Sequence, residues 1–173
     1  MPLFDSPSRC SGGTSIQFRW YGFPACSNGD DVSSAVSVLM TAVKGGTRVW
    51  NPYAEQMAKS EFKNRIKKAA RGELKPVDEV KPVDVRNPPP LYEIRWIDLP
   101  VTDRTASGTL SHSTVQVRMY HSEPATVPGH FVGHHAHEKL VNVADVNATQ
   151  QVEIKTAIGF YAAGASSNWG IAP

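Results

Sequence analysis

The chain reads as one α+β domain, on three observations. Four segments alternate apolar and polar residues with the period of a half-buried strand, at 15–23, 91–97, 114–121 and 131–139. Three others carry apolar residues at helical spacing, and Gly- or Pro-rich stretches separate all of them. The order strand, helix, helix, three strands, helix predicts a small mixed or antiparallel sheet with the helices packed on one side.

Residues 1–14 are rich in Ser, Gly and Pro and predict an arm that is loose unless it docks. The first strand sets Ile16, Phe18 and Trp20 against Gln17, Arg19 and Tyr21, and Pro24 and Asn28-Gly29 close it. Asp30 or Asp31 caps the first helix, whose stripe Val32, Ala35, Val36, Leu39, Met40 and Val43 is core, and Gly45-Gly46 stops it. Asn51-Pro52 opens a second helix with a cap and a proline at its first position, running to about Arg71 before Gly72. Met57 or Ala58, Phe62, Ile66 and Ala69-Ala70 form its buried side.

Residues 73–90 hold Lys-Pro-Val-Asp twice and then Asn-Pro-Pro-Pro, which predicts an extended connector. The three central strands follow, with turn-rich segments at 102–113 and 122–129. A last helix opens at Asp145 or Asn147, carries Val152, Ile154, Ala157, Ile158, Tyr161 and Ala162, and stops at Gly164. The domain proper is therefore 15–164, and 165–173 is a tail that Trp169 is placed to anchor.

Composition bounds the function. The 173 residues, 40% hydrophobic and 20% charged, suffice for a real core and argue against disorder. A net charge of +2 says little about partners. Two cysteines, Cys10 and Cys26, give no disulfide framework and no paired zinc motif. The start has neither the basic nor the apolar region of a signal peptide, and no apolar run is long enough for a membrane span. The expected location is cytoplasmic.

Local words in this order resemble the RelE/HigB group of bacterial toxins over about residues 47–163. Leu91-Tyr92-Glu93-Ile94-Arg95 is similar to the strand that opens that group's sheet. Val117-Arg118-Met119-Tyr120 is similar to its arginine-bearing second strand, and His134 to Lys139 to the third strand before the final helix. The resemblance implies a RelE-like fold and mRNA cleavage without a metal or other cofactor, often on the ribosome. It also implies a cognate antitoxin as partner. Arg95 and Arg118 then contact phosphate or the transition state, and Lys139 sits where the family has a basic pair. Glu138 replaces the other member of that pair, and the N-terminal arm, the connector and the histidine cluster are departures.

The residues fit that chemistry on their own terms. Metal-free RNA cleavage needs a base for the ribose 2′-OH, an acid for the leaving 5′-oxygen and cations for the charge on phosphorus. His121, His135 and His137 are acid–base candidates. Arg95, Arg118 and Lys139 are charge candidates, and Tyr120 is placed to stack on a base or donate a proton. The bland reading has Arg95 pairing with Glu93 between strands and Tyr120 half-buried in the core. On the second helix, Lys59, Lys63, Arg65, Lys67, Lys68 and Arg71 offer a phosphate-tracking face, against the plainer reading of a solvated surface.

Two further classes compete. His130, His134, His135 and His137 lie close together, and His135 and His137 share a strand face, so they offer two imidazoles to a metal. With Gly129 they match the opening of the cupin motif, whose glutamate and second half are missing. The other class is a non-catalytic nucleic-acid or protein interaction module on a toxin-like fold. A gyrase poison of the ParE type shares that fold.

Overall fold

The computed structural model describes residues 6–26, 29–83 and 89–173. Residues 1–5 of the expected arm, Asn28, Asp84 of the second Lys-Pro-Val-Asp and the Asn87-Pro88 step lie outside these residues. The elements are β1 (Gln17–Trp20), α1 (Asp31–Val43), α2 (Pro52–Ala70), β2 (Val80–Pro82), β3 (Tyr92–Arg104), β4 (Leu110–Ser122), β5 (His130–Lys139) and α3 (Val146–Ala165). Single 3-10 turns lie at Arg9–Ser11 and Asn168–Gly170. Together they make an α+β fold around one five-stranded mixed sheet, ordered β1-β5-β4-β3-β2. β1 runs parallel to β5, and the other pairs are antiparallel. Among the described residues, no helix is long and apolar enough to cross a membrane.

The helices begin where their caps say. Asp30, Asn51 and Asp145 each accept a backbone N–H from the residue three positions on, satisfying a donor the first turn leaves free. α1 buries Ala35, Val36, Val38, Leu39, Met40 and Val43. α2 buries Ala58, Phe62, Ile66 and Ala69, while Met57 is exposed. Gly72 then turns the chain at φ 72°, and a side chain there would strike the Thr14 backbone.

Four expectations need correction. The connector contributes a strand: β2 pairs with β3, its proline tolerated because it lies on the sheet's edge. The β3–β4 hairpin is much longer than the alternation suggested, pairing out to Arg104 and Leu110 and leaving only a short turn. Pro100 and the acidic Asp98 and Asp103 look like turn residues, yet they sit in the outer hairpin beyond an irregularity between Trp96 and Leu99. Gly164 does not end α3. It is buried in the last turn because a Cβ there would overlap Trp169 and Tyr21.

The fourth correction concerns layers, because the helices do not share one side of the sheet. Strand residues alternate faces. Ile94, Trp96, Val117, Met119, Phe131 and Ala136 pack with α1 and α2 in the main core. Their alternates face α3, where Tyr120 packs with Leu91, Val83, Ile154 and Ala157. Beside that second core, Trp169 and Ile171 of the tail join Val127 and Val132, and the Trp169 indole N–H donates to the Tyr161 carbonyl at 3.0 Å.

Candidate functional site

The α3 face of the sheet collects the chemistry. Register places Lys81 beside Glu93, Glu93 beside Tyr120 and Arg95 beside Arg118. Arg118 in turn lies beside His137, Tyr120 beside His135 and Gln116 beside Lys139. β5 reaches this arrangement through a bulge. Tyr120 opposes His135 while His121 opposes Gly133, so His134 is an extra residue in its strand. The bulge keeps Phe131 in the main core and still aims His135 and His137 at α3.

Glu93 is the electrostatic hub. Its Oε1 lies 3.5 Å from Arg95 Nε, 3.5 Å from Arg118 Nε and 3.8 Å from Lys81 Nζ. Two arginines directly opposite each other repel, so the carboxylate between them is what makes the pair tolerable. One anion does not neutralise three cations, and Lys139 adds a fourth. Burial and the neighbouring Arg118, Arg95 and Lys81 push the Lys139 ammonium below the ordinary lysine range. Arg118 is also lowered, by burial first. Arg95 Nε and Arg118 Nε are buried without a hydrogen-bond acceptor among the described residues. Arg95 also donates to the Val77 carbonyl at 2.7 Å, and Arg118 to the Gln116 side chain at 2.8 Å.

Depth divides the predicted residues. Arg118 and Tyr120 are fully buried, and His137 nearly so. Arg118 is thus no surface arginine, and it can touch a ligand only if its surroundings open. Lys81, Arg95, His135 and Lys139 form the accessible rim.

Hydrogen bonds assign the proton roles. His137 Nδ1 faces the Glu138 carbonyl at 3.1 Å, so it carries the proton there. Nε2, 3.0 Å from the Tyr120 hydroxyl, then accepts from it. Burial lowers the His137 pKa and raises that of Tyr120, so at neutral pH this pair is a neutral imidazole and a protonated phenol. His135 differs. Its Nε2 is hydrogen-bonded to Glu153 of α3, and its Nδ1 has no partner among the described residues. A carboxylate on one ring nitrogen orients the other as a base. His135 and His137 stack, with ring centroids 6.2 Å apart.

The other candidates disperse. His121 projects to the opposite face, stacked on Tyr92 and edge-on to Phe131, so it does not join His135 and His137. His134 is enclosed between the Ser122 hydroxyl and the Tyr21 carbonyl, and His130 lies at the β1 pairing. The histidine cluster therefore does not converge on one ion, and His135 and His137 already spend nitrogens on Glu153, Tyr120 and the Glu138 carbonyl. On α2, Lys59 pairs with Glu55, Arg65 and Lys68 with Glu79, and Arg71 with Glu73. That leaves Lys63 and Lys67 as the basic residues there with no ion pair among the described residues, a thin basis for tracking phosphates. A cavity of about 810 Å³ lies between α2 and β3, lined by Tyr53, Met57, Arg65, Trp96 and Leu99, and it carries no histidine.

Sequence reasoning missed Lys81 and Glu153. Lys81 sat in a proline-rich connector with no strand signal, and Glu153 gained its role only when α3 took the second face. No family model, curated protein or solved structure matches the chain significantly.

Proposed function

We propose that the α3 face of the sheet binds a phosphodiester and that the protein is a metal-independent endoribonuclease of toxin type, with a RelE-like fold. The observation that carries this reading is the cation surplus around Glu93, set beside the His135–Glu153 pair. Buried guanidinium donors without acceptors favour an incoming anion. In this reading Lys81, Arg95 and Lys139 hold the phosphate, with Arg118 beneath them keeping Arg95 and Glu93 in place. His135 Nδ1 takes the 2′-OH proton while Glu153 holds the imidazole. Lys139, whose pKa its neighbours lower, or the Tyr120–His137 pair supplies the proton to the leaving oxygen. The partners it implies are mRNA, the ribosome and a cognate antitoxin covering this face.

The test is inducible expression in a bacterial host, following growth and mRNA integrity for wild type, His135→Ala and Arg95→Ala. Wild type arrests growth and cleaves mRNA. Each variant stays folded and loses cleavage, about a hundredfold or more for the base. Cleavage that survives in both variants sinks the assignment. Arrest with intact mRNA redirects it to another target, gyrase among them. The complete burial of Arg118 and Tyr120 favours a second reading, a non-catalytic interaction module, which predicts no cleavage by folded wild type and salt-sensitive RNA or protein capture at the same rim.

A further inference from the structure

Away from this face, the 3-10 turn of the N-terminal arm meets the far end of β4. Cys10, His121 and Glu123 bring one sulfur, one imidazole nitrogen and one carboxylate oxygen within 4.8 Å of one another. Cys10 Sγ lies 3.7 Å from His121 Nε2, and Glu123 Oε1 lies 3.1 Å from the same nitrogen. Cys10 and His121 are fully buried, and the Glu123 side chain is 5% exposed.

We propose that Cys10, His121 and Glu123 form a binding site for a divalent metal ion of the zinc type, fastening the arm to the sheet. Tetrahedral zinc holds S, N and O ligands at about 2.0–2.3 Å, which sets neighbouring ligand atoms roughly 3.3–3.8 Å apart. The trio is already near that spacing. The donor set, a thiolate with imidazole and carboxylate, suits zinc or cobalt over calcium or magnesium. The surroundings hold the ligands in place, as metal sites require. The Ser8 hydroxyl donates to Glu123 Oε1 at 2.5 Å, and the Arg9 backbone N–H to Oε2 at 2.9 Å. The Arg9 side-chain Nε also approaches Oε2, at 3.4 Å, which leaves Oε1 as the ligand oxygen. Tyr92 stacks on the His121 ring and fixes its plane.

A hydrogen-bonded core explains the trio less well. Two acidic side chains converge on His121 Nε2, while buried Nδ1 has no partner among the described residues. In the metal-bound form the Nε2 lone pair, the thiolate and the carboxylate all point to one ion. The Cys10 thiol proton leaves to solvent as the Cys10–metal bond forms. A water or the Ser8 hydroxyl takes the fourth position. The sequence gave no spacing signal, because Cys10 and His121 lie 111 residues apart.

The experiment titrates the full, reduced, chelator-treated chain with Co²⁺. The expected result is a thiolate-to-cobalt charge-transfer band with intense tetrahedral ligand-field bands, saturating at one equivalent and displaced by Zn²⁺. Cys10→Ser loses the charge-transfer band and weakens Co²⁺ binding at least tenfold, and Cys26→Ser keeps both. A folded wild-type chain with no such band overturns the proposal, as does a band that follows Cys26 instead. The wild-type spectrum decides the matter even where Cys10→Ser fails to fold. None of these readings depends on RNA cleavage, so the site stands or falls apart from the function proposed for the other face.

Discussion

At the scale of single residues, burial overrules the type of side chain. Arg118 was expected to be a removable surface group, yet it lies against Glu93 with its side chain 1% exposed. Arg118→Ala leaves Glu93 with Arg95 and Lys81 only, and should cost about 2–4 kcal/mol, below or near the usual range for breaking a buried pair. Urea denaturation measures it, and a loss under about 0.5 kcal/mol would mean that Arg118 bears no structural charge. His134 gives a pH signature. Burial drives its pKa down to about 3, and its two nitrogens are matched to Ser122 and Tyr21 only when neutral. Between that value and the ordinary one near 6.5, the unfolded chain holds the extra proton. Stability is therefore full above about pH 6.5 and falls as the pH drops, by at most about 1.4 kcal/mol per unit from this group. Urea midpoints at neutral and mildly acidic pH should fall further apart in wild type than in His134→Gln, which has no proton to gain.

At the scale of elements, local signals were legible where local physics decides. Asp30, Asn51 and the apolar stripes placed α1 and α2 because a cap and a buried face are properties of the segment itself. Asn51→Ala should cost about 1 kcal/mol, readable as a lower Tm. The layer order was not legible. On β4, Val117 and Met119 face one core while Arg118 and Tyr120 face the other, and nothing within the strand says that a charged side is also covered. Compensation comes from Glu93 on the next strand and Glu153 on α3, neither of which local periodicity can assign. Gly164 shows the same limit, since a glycine near a helix end reads as a stop. Here it is a point of close approach. Gly164→Leu should push Trp169 out of its site and expose the indole, seen as a red shift and loss of protection in tryptophan fluorescence.

At the scale of the whole molecule, the sheet separates two environments. One face is an apolar core closed by α1 and α2, and the other carries an excess of buried positive charge only partly roofed by α3. The chain spends stability on that face, because like charges opposed across β3 and β4 repel. Added phosphate or polyanion should raise the Tm of wild type, with the gain shrinking at high salt and in Lys139→Ala. A gain that ignores both would place the anion elsewhere.

The bulge at His134 has a consequence for how this protein can vary. Substitutions along β5 change one side chain at a time, but deleting His134 changes the phase of everything before or after it. Shortened by that one residue, the strand must either turn Phe131 and Gly133 out of the apolar layer or turn His135 and His137 into it. The extra residue thus works as a frame marker in three dimensions. In a library of single-residue deletions across 130–139, every member should fail, whereas single substitutions at the half-buried His130 and His135 should leave the fold intact.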